Sequence, residues 1–442
     1  MMIKKHTKKL VPPFLVLHSL GCTCAFCAET EAKAKKEHGF FADSVISVVN
    51  RTVYDTRKYP DVTTSPNHTT EWGYGLMGTF QSGFTPGFIG FGIDAQSYTG
   101  VKLQAKGRTG RIRLLRKKSD GSVQDFYNRT GGAAKVRIHS TIVKYGIMRP
   151  QTAIFSSSDT RLLPETSTGL LITSHEIQDF TFQIGHFTAS ADRNANTNHN
   201  DLVVNYLNPS FRKGKSFDFI GGTYTGIKDI SFTSYLGKYH QSWLTYYSNI
   251  TYQHQFQKQQ KLTLDIQFYH SHNIGESYAG KINNNTGSIA ATYQIGMHQF
   301  FASYQKVHGN TPFDYVTRGA IWLPNATQLS DFNGPHEQSW QVGYELDMER
   351  FGIKGLSFST AFIRGAGING TKMGANSAYY WLGYGKNGKH WEHELVAKYT
   401  VPKGFAKNLN IVARHSIHQA NKAQSELNTR QIRVAVEYPI EW

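Results

Sequence analysis

Polar and apolar side chains alternate with a period of two through segment after segment of this chain. Strict alternation of that kind leaves a segment little choice but an extended strand with two unlike faces. In Lys261–His270, Leu262, Leu264, Ile266 and Phe268 fall on one face, and Lys261, Thr263, Asp265, Gln267 and Tyr269 on the other. Ser339–Met348 sets Trp340, Val342, Tyr344, Leu346 and Met348 against Gln341, Glu345 and Asp347. Trp391–Val401 sets Leu395, Ala397, Tyr399 and Val401 against Glu394, Lys398 and Thr400. The chain ends with Ile432, Val434, Val436, Tyr438, Ile440 and Trp442 on one face and Arg433 and Glu437 on the other.

A soluble sandwich alternates too, so the connections carry the discrimination. Strands are expected near 242–256, 261–270, 287–295, 298–306, 338–348, 356–364, 391–401, 409–418 and 429–442. The links between them alternate in length: short at 257–260, long at 271–286, short at 296–297, long at 307–337. They continue short near 349–355, long at 365–390, short at 402–408 and long at 419–428. Short turns at one end and long loops at the other describe an up-and-down barrel. Turns near 85–87, 140–141, 177–179 and 227–229 extend the pattern into the first half. Nine strands in roughly 200 residues imply about 18 in all, an even number that returns both ends to the same side.

Composition supports a barrel that crosses a membrane. Mean hydropathy is -0.44 and 39% of residues are hydrophobic, too polar for a bundle of spanning helices. Past the N-terminus no run of about 18 apolar residues occurs. Aromatics make up 13%, with 24 Tyr and 27 Phe, which suits interfacial girdles. The expected fold class is all-β, a transmembrane up-and-down antiparallel barrel.

The first residues read as an export signal. Lys4, Lys5, Lys8 and Lys9 precede an apolar core, Leu10–Leu20, broken by Pro12 and Pro13. Ala25-Phe26-Cys27 then offers small residues for cleavage near 27–28. A lipoprotein site at Leu20-Gly21-Cys22 is disfavoured by Ser19. Residues 1–28 are therefore expected to be a signal peptide and 29–442 the barrel. Cys22, Cys24 and Cys27 all lie in the leader, so the mature chain has no thiol. Losing its four lysines lowers the formal charge from +17 to +13.

Parity also selects what faces the lumen: Arg51 in the first strand, Lys135, Arg137 and His139 in a later one, and Arg414 and Arg433 near the end. First and last strands are neighbours in a closed barrel, which brings Arg51, Arg433 and Arg414 together. A wall of one charge sign inside a low-dielectric cylinder concentrates anions. Guanidinium forks take carboxylates bidentately, and a series of weak sites permits passage without trapping. The competing reading is that these cations solvate the pore or pair with Glu394, Glu437 and Asp347.

Other motifs carry less. Gly383-Tyr384-Gly385-Lys386-Asn387-Gly388 matches G-x-G-x-x-G, but no strand–helix unit surrounds it. His270-Ser271-His272 and His390-Trp391-Glu392-His393 lack metalloprotease spacing, so no metal site, cofactor or catalytic residue is assigned. There is no G-x-S-x-G elbow. The basic run Arg108–Lys118 falls in an expected external loop, where anionic lipopolysaccharide is a better partner than nucleic acid.

Several longer motifs carry a resemblance. Glu71-Trp72-Gly73, the run Ser82–Ala95 (SGFTPGFIGFGIDA), Ser158–Thr166 (SDTRLLPET), His308-Gly309, Pro312-Phe313-Asp314-Tyr315, Ser330–Pro335 (SDFNGP) and Asn369–Met373 (NGTKM) resemble, in consistent order from about Gly39 onward, the OprD family of substrate-specific porins. The resemblance implies a bacterial outer-membrane, largely monomeric barrel whose last strand is read by the barrel-assembly machinery. It also implies a narrow eyelet of inward-folded loops, here about 149–168 and 307–337, facing a basic ladder. In that eyelet Asp159, Arg161 and Asp314 would present mixed charge and Tyr315 and Phe313 would narrow the gap. Alternatively, Asp159 and Arg161 pair with the wall and hold the loop inward. The implied activity is passive, selective diffusion of small carboxylate-bearing solutes: amino acids, small peptides or aromatic and cyclic acids. Members selective for basic amino acids often carry an Arg-rich penultimate strand. Ile411–Gln419 has only Arg414, extended at most by protonated His418, which moves the expectation toward small carboxylates. An exported β-rich hydrolase or peptidase, or a non-selective porin, stays open at this point.

Overall fold

No strand in the computed structural model, which describes residues 39–442, is left with an open edge. The first nine strands are β1 (Val45–Lys58), β2 (His68–Gln81), β3 (Ile89–Gly107), β4 (Phe126–Ile138), β5 (Thr141–Met148), β6 (Thr166–Ser174), β7 (Phe180–Ala191), β8 (Phe217–Ile227) and β9 (Ile230–Tyr239). They are followed by β10 (Trp243–Gln257), β11 (Gln260–Asn273), β12 (Asn283–Ile295), β13 (His298–His308), β14 (Gln338–Asp347), β15 (Leu356–Asn369), β16 (Lys386–Thr400), β17 (Asn410–Ala420) and β18 (Thr429–Glu441). Each pairs antiparallel with its sequence neighbours, and β1 pairs with both β2 and β18, closing an 18-stranded barrel. Closure removes the unpaired N–H and C=O groups that an open sheet would expose. Trp442 completes the seam by exchanging backbone hydrogen bonds with Ile46. The expected signal segment, 1–28, lies outside the described residues.

The two faces are inverted relative to a soluble sheet. Ile266, Phe268, Trp340 and Val342 point outward and are exposed, while their neighbours Asp265, Gln267, Ser339 and Gln341 point inward and are buried. Apolar outside and polar inside is stable only where the outer solvent is hydrocarbon. Among the described residues no helix is long and apolar enough to cross a membrane.

The connections run short at one end, including 139–140, 228–229, 258–259 and 296–297, and long at the other, including 108–125, 149–165, 192–216, 309–337 and 370–385. Strand edges on the long-loop side lie further out than the alternation indicates: β12 begins at Asn283 and β15 runs to Asn369. Above the membrane both faces meet water or loops, so the ladder continues after the hydrophobic contrast has ended. In the first half, glycines sit opposite inward aromatics: Gly100 faces Tyr127, Gly185 faces Phe219 and Gly221 faces Tyr235. At Gly100 any Cβ would enter the Tyr127 ring, so these pairs fix register by shape.

Candidate functional site

The seam carries the charge. On the inward face of β1 lie Arg51, Asp55 and Arg57; on β18, Arg433 and Glu437; on β17, Arg414 and His418. Arg433 is in register with Asp55 on one side and Arg414 on the other, and Arg51 with Glu437. Arg51 donates Nε to Glu437 Oε2 at 2.6 Å and Nη1 to Asp159 Oδ1 at 2.6 Å. Arg414 donates Nη1 to Gln328 Oε1 at 3.0 Å and Glu394 Oε1 at 3.3 Å. Four strands from β18 around the same arc, Lys135 on β4 binds Asp94 Oδ1 at 2.8 Å and the Ser82 carbonyl at 2.7 Å. Arg137 lies over the Phe84 ring, 4.9 Å from its centroid. His139 is not on that wall. It sits in the two-residue turn after β4 with φ 48° and packs edge-on against Phe88. The turn begins one residue earlier than parity suggested, which takes His139 out of the strand.

Four long links fold into the lumen. The 108–125 link plants Leu114 and Leu115 against the wall, and Glu71 of β2 accepts the backbone N–H groups of Gly110, Leu114 and Leu115 at 2.8, 3.0 and 3.0 Å. The basic run expected to be wholly external is therefore anchored inside by its own leucines, with Arg111, Arg113, Lys117 and Lys118 still exposed. The 149–165 link is pinned by Asp159, gripped by Arg51 and, at 2.9 Å, by Arg149. Burial alone would raise this carboxyl, but the Arg51 and Arg149 guanidiniums overcome it and hold it at about 2. Asp159 is thus a tie, and its charge is spent on the wall.

The 192–216 link was not anticipated as a constriction element, because loops have no periodicity to read. It joins the other two. Arg318 of the 309–337 link pairs with Asp192 at 2.8 Å and with Asn205 Oδ1 at 2.9 Å. Thr317 Oγ1 donates to the Ser156 carbonyl at 2.7 Å. Asp314 accepts the N–H groups of Asn205, Tyr206 and Tyr315 at 3.3, 3.2 and 2.8 Å. Its carboxyl faces this loop–loop seam, not a passing solute, and burial pushes it up to about 7. Tyr315 turns its hydroxyl onto Asp331 at 2.6 Å, and Phe313 is buried against Tyr269. Glu165, which accepts from Ser158 N and Arg318 N, is likewise pushed up to about 7, by burial and then by Asp192.

Three guanidiniums from three elements converge on Thr160. Arg433 donates Nη2 to its carbonyl at 2.7 Å, Arg193 donates Nη1 to its hydroxyl at 3.0 Å, and Arg161 donates Nη1 to its carbonyl at 3.0 Å. Arg161 also reaches the Ile112 carbonyl at 3.1 Å. Burial and the cations of Arg193, Arg433 and Arg57 push the Arg161 guanidinium well below its usual range. An arginine nevertheless keeps its proton, so the surplus is a positive field. Arg433 Nη1 is buried with no hydrogen-bond partner.

His418 lies on the Arg414 face of β17 but meets His390 and Glu426. His390 and His393, three residues apart in one strand, point to opposite faces, and His393 meets Thr360 instead. Gly383–Gly388 spans the end of a loop and the start of β16.

The family model described as "outer membrane porin, OprD family" matches residues 38–442. Porin D of Pseudomonas aeruginosa is 38% identical over 423 residues, covering 93% of either chain. The "porin-like protein GalP" of Pseudomonas putida is 28% identical over 434 residues, covering 96% of this chain and 98% of its own. The crystal structure of Pseudomonas aeruginosa OprD superposes with a TM-score of 0.80 at 37% identity, over 92% of this chain and 97% of that one. Pseudomonas aeruginosa OpdK, solved with vanillate, gives 0.82 at 28% identity, over 91% of this chain and all 100% of that one.

Proposed function

The chain belongs to the OprD family of outer-membrane porins, and from that premise we propose that it passes small carboxylate-bearing solutes selectively, by diffusion along the basic wall of its lumen. Its relatives are channels, not enzymes, which removes the hydrolase and peptidase readings. One observation carries the proposal: the meeting of Arg161, Arg193 and Arg433 at Thr160, with a buried Arg433 donor that has no partner. A carboxylate satisfies such a donor, and neighbouring guanidiniums supply the field that draws it in. Arg51, Lys135 and Arg414, each partly neutralised by a carboxylate, and Arg137 over Phe84 make up the rest of the basic wall, which keeps any one stop weak. The vanillate of OpdK is an aromatic carboxylate, in keeping with this class. A monomer is the state we assign, since the sheet closes on itself and encloses its own lumen. Export is the role we assign to residues 1–28, recognition of β18 is assigned to the assembly machinery, and contact with lipopolysaccharide to the exposed Arg111, Lys117 and Lys118.

Liposome swelling tests the reading with benzoate, pyroglutamate, arginine and a neutral sugar of similar size. Benzoate and pyroglutamate should enter faster than the sugar. Arg433→Ala should slow them roughly tenfold, the worth of one charge-assisted hydrogen bond of about 1.5 kcal/mol, and leave the sugar unchanged. Equal entry of all solutes, unaltered in the variant, would make this member a general sieve.

A further inference from the structure

A second cluster lies at the long-loop end of the lumen, where β16, β17 and the 421–428 link meet the 309–337 link. His390 Nδ1 is 3.0 Å from His418 Nε2, His418 Nε2 is 3.1 Å from Glu426 Oε2, and His390 Nδ1 is 3.6 Å from Glu426 Oε2. All three atoms fall within 4.8 Å of one another. A tetrahedral ion with ligands at 2.0–2.1 Å requires ligand–ligand edges of about 3.3 Å. The observed triangle brackets that value.

The surroundings orient both rings for coordination. His390 Nε2 is 2.6 Å from Glu337 Oε1, a carboxylate that accepts the Nε2–H and so leaves the Nδ1 lone pair facing the triangle. His418 Nδ1 points at the Leu427 carbonyl at 3.4 Å, which leaves Nε2 to the same centre. Such outer partners are what metal-binding histidines use to fix their tautomer. The rings stand at 84° to one another, and Phe332 stacks on His390 at 4.1 Å, closing one side with apolar surface. Glu426 Oε2 faces both histidine nitrogens, while its other oxygen takes a hydrogen bond from Ser330 at 3.2 Å. Lone pairs at these separations need a shared proton or a cation between them, and a divalent ion would satisfy all three atoms at once.

We propose that His390, His418 and Glu426 bind one divalent transition ion of the zinc class, and that the ion ties the 309–337 and 421–428 links to the barrel wall. Two imidazoles and a carboxylate suit Zn2+, Co2+, Ni2+ or Cu2+ and disfavour Mg2+ and Ca2+. Glu337 and Ser330, both in the 309–337 link, are positioning residues: they hold His390 and Glu426, so binding and loop anchoring are one event. The Glu426 side chain is 30% exposed, against 1% for His390, and marks the way in.

The test uses the full-length barrel without an added histidine tag, in detergent, stripped with chelator and titrated with Zn2+ and with Co2+. One tight equivalent is expected, with the visible absorption of Co2+ in an imidazole–carboxylate site. His418→Ala and Glu426→Gln should abolish that equivalent, Glu337→Gln should weaken it about 10- to 100-fold, and His393→Ala, on the outer face, should leave it intact. Heat-modifiable gel migration certifies that each variant is a closed barrel, and Glu426→Gln, in a loop, serves if His418→Ala does not close. Hydrogen exchange at 328–337 should slow on Zn2+ addition. No tight equivalent in the wild type, or one that survives in both ligand variants, overturns the site. Binding without slower exchange overturns the tie.

Discussion

Thr160 shows how little of a residue's role resides in its own side chain. Its carbonyl and hydroxyl hold Arg161, Arg193 and Arg433 in place, so a neutral residue gathers three guanidiniums at one point. Glu71 does the reverse: one buried carboxylate holds the 108–125 link by three backbone N–H groups. Glu71→Ala should cost on the order of 2–3 kcal/mol by stranding those donors, and should open the link to trypsin at Arg111 and Arg113 in the folded barrel. An unchanged unfolding midpoint and an uncut link would show that the leucines alone anchor it. Period-two parity made Arg51, Arg414 and Arg433 legible in the sequence, because strand faces repeat. Arg57 obeys the same parity as Arg51 and could have been read with it. Arg193 could not, since it leaves β7 by a loop.

At the scale of elements, three long links are fastened to one another as well as to the wall. Asp314 and Glu165 sit in that junction with their carboxyls raised to about 7. A carboxyl raised by folding binds its proton more tightly in the native state. Its stabilisation is therefore complete below the unfolded value of about 4 and is lost as pH climbs through about 7. The junction should loosen between pH 5 and pH 8, while Asp159, ionised throughout that window, keeps the 149–165 link on Arg51. Single-channel recordings should show current fluctuations growing over this range, and Asp314→Asn should flatten much of the growth. Fluctuations that grow equally in the variant would place the titrating group elsewhere. Loop lengths announced which links are long, and the resemblance singled out 149–168 and 307–337. The interlock with 192–216 was not legible, because its contacts are single hydrogen bonds between irregular segments.

The whole molecule is a cylinder whose strand count and closure were legible, because closure follows from an even number of strands with unlike faces and alternating links. What fills the cylinder was not, since packing of links inside a lumen leaves no period. Arg51 joins both levels: it bridges β1 to Glu437 of β18 and to the 149–165 link. Arg51→Ala would take this cation from Glu437 and leave Asp159 to Arg149 alone, a loss of about 3–5 kcal/mol. The temperature at which the heat-modifiable band converts should fall accordingly, while Arg137→Ala, near the short-turn end, should move it little. Equal shifts in the two variants would mean that the seam has no special share in stability.

That seam has a further consequence for biogenesis. The backbone bonds between β1 and β18, the first and last strands, are also those that bring Arg51, Asp55, Arg433 and Glu437 into one wall. Without the β1–β18 pairing the chain has neither a sealed circumference nor this charged wall. Closing the circumference and completing this charged wall are therefore one and the same pairing.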